Sequence, residues 1–452
     1  MQEITTFNLE KTIITLATNK RFHALRDILD GMNPHDIAAL FERVPRRNLP
    51  VLFRLLSKEL AAETFVEMDT DTQELLISSF SDSELKEVID ELFIDDAVDI
   101  VEEMPANVVK RILRSADADT RKQINEFLKY PDDSAGSIMT TEFVELRPNM
   151  TAGDAVTQIR RTGVDKETIN VCYVTQPDRK LLGYTTIRRI LLASEDAEVQ
   201  DIMEVNFHSV TTQDDQEAVA LLFSKYDLLT LPVVDGEERL VGIVTVDDAI
   251  DVLQEETEED IAKMAAVTPS EKPYLKNTIW ELYKHRIVWL LVLMVSAAFT
   301  GMIIDHFTAA LTAQAALMMF IPMLMDTGGN SGSQSSVIII RGLALGELTS
   351  KDWLRIAWRE MRVSVLCGVT LAALNFAKVI FFDQKGVMVA AVVSLTLIAD
   401  VFISKLIGCL LPLGAKRIGI DPAVMASPLI TTIVDALALI IYFGIASAML
   451  ST

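Results

Sequence analysis

Apolar and polar positions change their rhythm twice along the chain. From about Lys20 to Lys129 apolar residues recur at every third or fourth position and Pro or Asp punctuates the intervals, which predicts successive short helices. A weak internal repeat appears at a shift of 60: Asp36-Ile37-Ala38-Ala39-Leu40-Phe41-Glu42-Arg43-Val44-Pro45 matches Asp96-Ala97-Val98-Asp99-Ile100-Val101-Glu102-Glu103-Met104-Pro105. Units that cannot bury an apolar stripe alone do so by stacking, so a helical superhelix is expected over residues 1–130. Near Ser137 the rhythm shortens to β-branched runs between helical stretches. Beyond the linker at Pro269–Pro273 it gives way to long apolar runs.

The middle region repeats itself more clearly. Ile138-Met139 recurs as Ile202-Met203, Phe143 as Phe207, Ala155-Val156 as Ala218-Val219, and Gly183 as Gly242. Each copy reads as a short strand, a helix, a β-branched strand (Val171 to Thr175; Leu231 to Asp235), a turn, another strand and a closing helix. This tandem α/β module, with the phrases Leu231-Pro232-Val233-Val234-Asp235 and Gly242-Ile243-Val244-Thr245-Val246-Asp247-Asp248, resembles a paired CBS domain. The resemblance implies ligand-dependent regulation of an attached part. Some members of that family hold adenine nucleotides through a Thr or Ser and an acid after the second-half glycine; here Thr245 and Asp247 are the matching residues for ATP, with a plain structural role as the alternative. The first copy has Thr185 with Arg188-Arg189 instead and departs from the acidic form.

In the last region Ile287–Ile304 and Phe307–Met325 are 18 and 19 residues without a charge. At about 1.5 Å per residue either crosses a hydrocarbon core of ~30 Å. Val363–Phe382, Gly386–Leu411 and Pro428–Leu450 add three more runs, so five spans are expected. Lys272, Lys276, Lys284 and Arg286 precede the first span. Arg341, Lys351, Arg355, Arg359 and Arg362 follow the second, and Lys416 and Arg417 the fourth, whereas the alternate loops hold only Lys385. This alternation predicts a cytoplasmic N-terminus and an outside C-terminus in a multi-pass protein of the cell (inner or plasma) membrane. Residues 1–25 lack the apolar core of a secretory signal, which agrees with that orientation. The expected fold is thus multidomain α and α/β plus membrane: the helical superhelix, a CBS pair at 131–254, an acidic linker helix at 255–284 and a five-helix transmembrane domain at 285–452.

Charge sharpens this division. The chain is 50% hydrophobic with a mean hydropathy of +0.30, yet its formal charge is −23. Residues 1–270 hold 53 Asp+Glu against 27 Lys+Arg, net −26, while residues 271–452 hold 11 against 14, net +3. So acidic a region repels phosphate and excludes nucleic acid as a partner; it suits cations. Cys172, Cys367 and Cys409 form no CxxC pair, so neither a disulfide framework nor a thiolate metal site is expected.

An ionisable side chain in mid-membrane costs about 2.5–3.5 kcal/mol on insertion scales and requires a reason. Asp435 lies about two turns into the fifth span with no Lys or Arg in that span, which marks it as a cation site facing a watery path. Asp400 and Lys405 in the fourth span read as a structural pair. Small and polar residues from Met325 to Ser336 read first as pore lining, then as close helix packing. Gly329-Asn330-Ser331-Gly332 fits the GxSG of intramembrane serine proteases, but the nearest candidate bases, His285 and His306, fall at span ends, so an enzyme is not expected. Soluble acids gather at Asp95, Asp96 and Asp99, at Asp247, Asp248 and Asp251, and from Glu255 to Asp260. Singly these are solvated surface; as a contiguous run they repel one another unless divalent cations intervene. All-oxygen ligation favours Mg2+, Ca2+ or Mn2+ over Zn2+ or Cu2+.

The order of parts, the Gly-Gly-Asn-Ser-Gly-Ser-Gln-Ser segment and the run Asp421-Pro422-Ala423…Pro428-Leu429…Thr432…Asp435 resemble the MgtE family of magnesium channels over essentially the whole chain. The resemblance implies a homodimer in the lipid bilayer with its pore between subunits and Asp435 holding hydrated Mg2+. Ser427 stands where the family often has Asn. The family pattern further implies regulation: internal Mg2+ bridges Asp95 and Asp99, Asp227, Asp248 and Asp251, and Glu256 and Glu259, with Asp421 at the inner pore mouth, and so closes the pore. The alternatives are a membrane-anchored CBS sensor or receptor and a proton- or sodium-coupled cation transporter. Selectivity among Mg2+, Mn2+ and Co2+ is open at this point.

Overall fold

Short helices follow one another through the N-terminal region because the sequence supplies caps between them. Asn33 accepts the His35 N–H ahead of Pro34, Asp69 accepts that of Thr72, Ser81 and Glu84 form a reciprocal capping box, and Asp117 takes the N–H groups of Asp119 and Thr120. Each such cap contributes about 1 kcal/mol. The computed structural model describes residues 11–270, 274–307, 315–425 and 427–450, and the described chain divides into two compact units, one ending at Leu253 and the other starting at Gln254.

In the first unit, helix Pro34–Phe41 packs on Lys58–Val66, that helix on Asp82–Ile89, and that one on Ala106–Ser115. Packing on the next helix but one winds the superhelix that the repeat predicted, with Pro34–Phe41 and α1 (Ile94–Glu103) as its two matching copies. Two three-stranded sheets follow. β1 (Val144–Leu146), α2 (Ala152–Thr162), β2 (Val171–Thr175) and β3 (Leu181–Thr186) form the first copy; β4 (Val210–Thr211), α3 (Gln216–Tyr226), β5 (Thr230–Val234) and β6 (Leu240–Thr245) form the second. In each, the first strand is parallel and the third antiparallel to the middle one, and the register repeats: Val174 faces Gly183 as Val233 faces Gly242.

The repeated Ile-Met phrases interlock the copies. Thr140 exchanges backbone hydrogen bonds of 2.7 and 2.9 Å with Ile243 of the second copy, and Glu204 bonds of 2.7 and 3.1 Å with Tyr184 of the first. Both glycines are explained by this crossing: a Cβ at Gly183 would lie 2.3 Å from the Glu204 carbonyl, and one at Gly242 would lie 2.6 Å from the Met139 sulfur. One buried cluster runs from Leu25, Phe41 and Ile89 to Val219, Leu231 and Val252, so helical and α/β parts share a core. Helix α4 (Val246–Met264) begins directly where β6 ends.

The second unit contains α5 (Ile279–His306), α6 (Ile321–Ala344), α7 (Trp353–Phe381), α8 (Val387–Arg417) and α9 (Ser427–Leu450). Among the described residues, four stretches, Ile279–His306, Ser350–Phe381, Val387–Arg417 and Pro422–Met449, are long and apolar enough to cross a membrane. The second expected span, Phe307–Met325, is only partly described. Residues 308–314 lie outside the described residues, Ala315–Phe320 form a 3-10 turn, and α6 starts at Ile321 with Pro322 in its first turn, where a missing N–H costs nothing. The Gly/Ser segment therefore lies inside α6 rather than after a span, and its polarity keeps α6 outside the apolar class. Helix α8 contacts α6, α7 and α9. Its approach to α6 is so close that a Cβ at Gly408 would lie 2.2 Å from the Gly332 carbonyl.

Candidate cation sites

The first unit gathers carboxylates with little to offset them. Helix α1 buries Ile94, Ala97, Val98 and Val101, and the same face carries Asp95, which is only 7% exposed. One Asp95 oxygen accepts the Asp96 N–H at 3.1 Å. Burial first, then the charges of Asp96, Asp248 and Glu167, raise its carboxyl well above the usual range. Burial likewise dominates at Asp96, pushed to about 7 with Asp248, Glu67, Asp247 and Glu142 behind it, and at Asp99, pushed to about 7 with Asp96, Glu102 and Asp248. Glu167 is pushed to about 8 by burial and then by Asp248 and Asp96. Asp248 is pushed to about 6 by burial although Thr245 donates to it. Burial and Asp247 also raise Asp251, and its counter-charge is His35, whose Nδ1 lies 2.6 Å from Glu67.

Of the acids singled out in sequence, this unit brings Asp95, Asp99, Asp248 and Asp251 into one field. Glu142, Glu167 and Glu67 join them and were not foreseen. Glu142 and Glu167 come from the first α/β copy, and the Glu167 N–H bonds the Glu142 carbonyl at 2.9 Å. No local pattern marks them; the crossing of Thr140 onto β6, which leads into α4, carries Glu142 towards Asp248. Asp227 stands apart, exposed at the C-terminus of α3 with a left-handed φ of 51°. Thr245 does not partner Asp247: its hydroxyl donates to Asp248 Oδ2 at 2.5 Å, because a capping residue reaches three positions ahead, and Asp247 is exposed.

In the second unit the later part of α4 meets Asp421. Lys263 Nζ lies 2.7 Å from Glu259 Oε1 and 2.6 Å from Asp421 Oδ2, while Asp421 Oδ1 accepts the Ala423 N–H at 2.8 Å. Asp260 is pushed to about 6, by burial first and then by Asp421, with Lys263 opposing and Glu256 and Glu259 adding to the rise. Met264 packs against Ile340 of α6 and Ala423.

Among the membrane helices, Asp435 is half-buried and makes no hydrogen bond or ion pair among the described residues. It lies within charge–charge reach of Asp326 on α6 and of Asp400 on α8. Asp326, Thr327, Asn330 and Gln334 line a cavity of about 520 Å3, with Thr370 and Lys405 on neighbouring helices. Gly328, Gly329 and Gly332 are buried in contact with α8 and α9. Helix α6 thus uses one face for close packing and another to line a cavity. The expected Asp400–Lys405 pair is absent. Five residues turn a helix by about 140° beyond a full circle, so the two point to different faces. Lys405 instead lies 3.3 Å from Ser335, which donates to Glu360 at 2.7 Å, and Asp400 accepts from Ser404 at 3.2 Å. Among the described residues no three metal-ligating side chains converge closely enough to cage an ion.

Known proteins carry the same parts in the same order. The MgtE family, described as a divalent cation transporter, matches residues 321–445, the MgtE intracellular N domain residues 32–133, and the CBS domain residues 135–196 and 199–255. The magnesium transporter MgtE of Thermus thermophilus is 36% identical over 431 residues, 94% of this chain and 95% of that protein. The magnesium transporter MgtE of Bacillus subtilis is 32% identical over 452 residues, 99% of each chain. A crystal structure of the cytosolic domain of the Mg2+ channel MgtE in complex with ATP is 34% identical with a TM-score of 0.51, covering 53% of this chain and 99% of that one. The soluble part of a magnesium transporter gives 27% identity and a TM-score of 0.53 over 56% and 99%.

Proposed function

The chain belongs to the MgtE family of divalent cation transporters and is a multi-pass membrane protein, and from that premise we propose that it passes Mg2+ into the cell and closes when internal Mg2+ rises. The observation that carries the reading is Asp435: a half-buried carboxylate with no hydrogen bond or ion pair among the described residues, within charge–charge reach of Asp400 and of Asp326, which lines the cavity described above. Mg2+ gives up water reluctantly and uses one or two carboxylates, so a site without a cage suits an ion that stays hydrated. Such a site binds without trapping, as conduction requires. The membrane potential supplies about 2.3 kcal/mol per charge per 100 mV, doubled for a divalent ion, so inward flow needs no coupled proton, sodium or ATP.

The proposed assembly is a homodimer in which two Asp435 side chains share the ion, with the N-terminus in the cytoplasm and the C-terminus outside. The division 1–130, 131–254, 255–284 and 285–452 then separates sensor, CBS pair, linker and pore. The sensor is the set Asp95, Asp99, Asp248 and Asp251 with Asp96, Glu142 and Glu167; Asp227, exposed on its own, is the member that a partner subunit would complete. Glu256, Glu259 and Asp421 form the inner-mouth site. All ligands are oxygens, so Mn2+, Co2+ and Ca2+ are the competitors to compare. Binding of Mg2+ offsets the repulsion among these acids and favours the closed form by its differential affinity. Adenine nucleotide at the CBS pair is a second reading, supported by the ATP complex of a relative's cytosolic domain. Direct titration of the wild type and Thr245→Ala with ATP tests it.

Mg2+ flux into proteoliposomes tests the pore. Asp435→Ala is expected to lower it about 100-fold, the scale of losing a desolvated charge contact of 2–3 kcal/mol. Equal flux in the two proteins would end the assignment.

A further inference from the structure

The inner mouth already holds a cation of the chain's own making. Lys263 Nζ bridges Glu259 on its own helix and Asp421 on the segment before α9, at 2.7 and 2.6 Å. These are two of the carboxylates assigned above to a bridging Mg2+. The ammonium is held firmly: burial alone would lower its affinity for the proton, but the bonds to Asp421 and Glu259 prevail and raise it to about 12. It is one positive charge among Glu259, Asp260 and Asp421. The position also matters mechanically. Met264, the next residue, packs on Ile340 of α6 and on Ala423, so whatever cation joins Glu259 to Asp421 sits beside the contact between linker helix and pore helices.

We propose that Lys263 is a tethered competitor of the divalent cation: its ammonium occupies the bridging position between Glu259 and Asp421, and Mg2+ must displace it to close the gate. The inference rests on the reading of Glu259 and Asp421 as a Mg2+ site. An ammonium offers one charge and no coordination shell, whereas a divalent ion offers two and accepts several oxygens, so Mg2+ wins once its concentration is high enough. Lys263 then sets that concentration. Its i,i+4 spacing from Glu259 keeps it available on α4 in every state in which the helix is intact.

The test uses the full chain in proteoliposomes, with Mg2+ uptake measured against internal Mg2+ and each protein normalised to its own flux at zero internal Mg2+. Lys263→Gln is expected to move half-inhibition to about three- to fivefold lower Mg2+, the fold-change of losing one partly exposed ion pair. Lys263→Arg, which keeps a positive charge there, is expected to stay near the wild type. An unchanged or raised half-inhibition in Lys263→Gln would overturn the proposal. Glu259→Gln and Asp421→Asn separate the two ideas. If they leave Mg2+ inhibition untouched, the inner-mouth site itself is wrong. If they weaken inhibition and Lys263→Gln does not strengthen it, only the competitor is wrong. Protection of the 254–270 segment from a protease by Mg2+ gives a second readout, expected at lower Mg2+ in Lys263→Gln.

Discussion

Two sets of carboxylates in this chain face opposite physical problems. In the first unit Asp95, Asp96, Asp99, Glu167 and Asp248 are buried against one another, and their raised proton affinities show how costly it is to ionise them together. In the second unit Asp326, Asp400 and Asp435 stand on three different helices, with Asp435 within charge–charge reach of each of the other two, and among the described residues of either unit no three such side chains converge closely enough to cage an ion. A crowded set gains much from a divalent cation and releases it slowly. A spread set gains little per contact and lets a hydrated ion move on. On the function proposed above, sensing and conduction use different densities of the same side chain.

The largest expected effect that bears on this contrast lies in the spread set. Asp326→Asn removes a charge that lines the cavity and lies within charge–charge reach of Asp435. Mg2+ flux is expected to fall about tenfold, equivalent to about 1.4 kcal/mol, while the internal Mg2+ giving half-inhibition stays in place. A shift of half-inhibition with unchanged flux would mean that the two sets are not divided by role.

Neutralising the crowded set should do the reverse. Asp96→Asn with Asp248→Asn removes two charges that each penalise the other. Half-inhibition is expected to move to about fivefold higher Mg2+, roughly 1 kcal/mol of lost affinity. The same substitutions relieve repulsion, so the Mg2+-free protein should unfold at a higher temperature than the wild type. A merely structural role for these acids predicts a lower one.

Much of this organisation was legible in the sequence, for reasons that differ by region. The superhelix, the tandem α/β copies and the apolar helices follow from periodicity, because each element buries its own stripe or face. Asp435 was legible because a lone acid in an apolar run has no local excuse. Glu142 and Glu167 were not, since their place depends on Thr140 crossing to the other copy's β6, a long-range pairing that leaves no local trace. The extent of α6 was not legible for a related reason: apolar composition marks Phe307–Met325, whereas Gly332 against Gly408 lets the polar stretch pack closely within a helix that runs to Ala344. Nothing local marks Lys263, because Asp421, its partner, is 158 residues away.

The smallest expected effect concerns protons, and its sign follows from the raised affinities. Asp96 and Asp99 are pushed to about 7, Glu167 to about 8 and Asp248 to about 6, against about 4 in an unfolded chain. Below about pH 4 both states hold these protons and the repulsion is absent. As pH rises the unfolded state gives them up first, so the folded state binds more protons and its stability falls until pH passes the folded values. Glu84, lowered to about 2 chiefly by its hydrogen bond from Arg54, works in the opposite sense but only in the acid range. Between pH 5.5 and 8 the Mg2+-free full chain should therefore lose apparent Tm, by about 5 °C for one to two kcal/mol shared among coupled groups. Saturating Mg2+ takes the place of the protons and should flatten that slope. Amide exchange across Ile94–Glu103 measures the same change at the helix that carries the acids. A Tm that rises with pH in this window, or a slope that Mg2+ leaves unaltered, would show that these carboxylates are offset by something other than a cation.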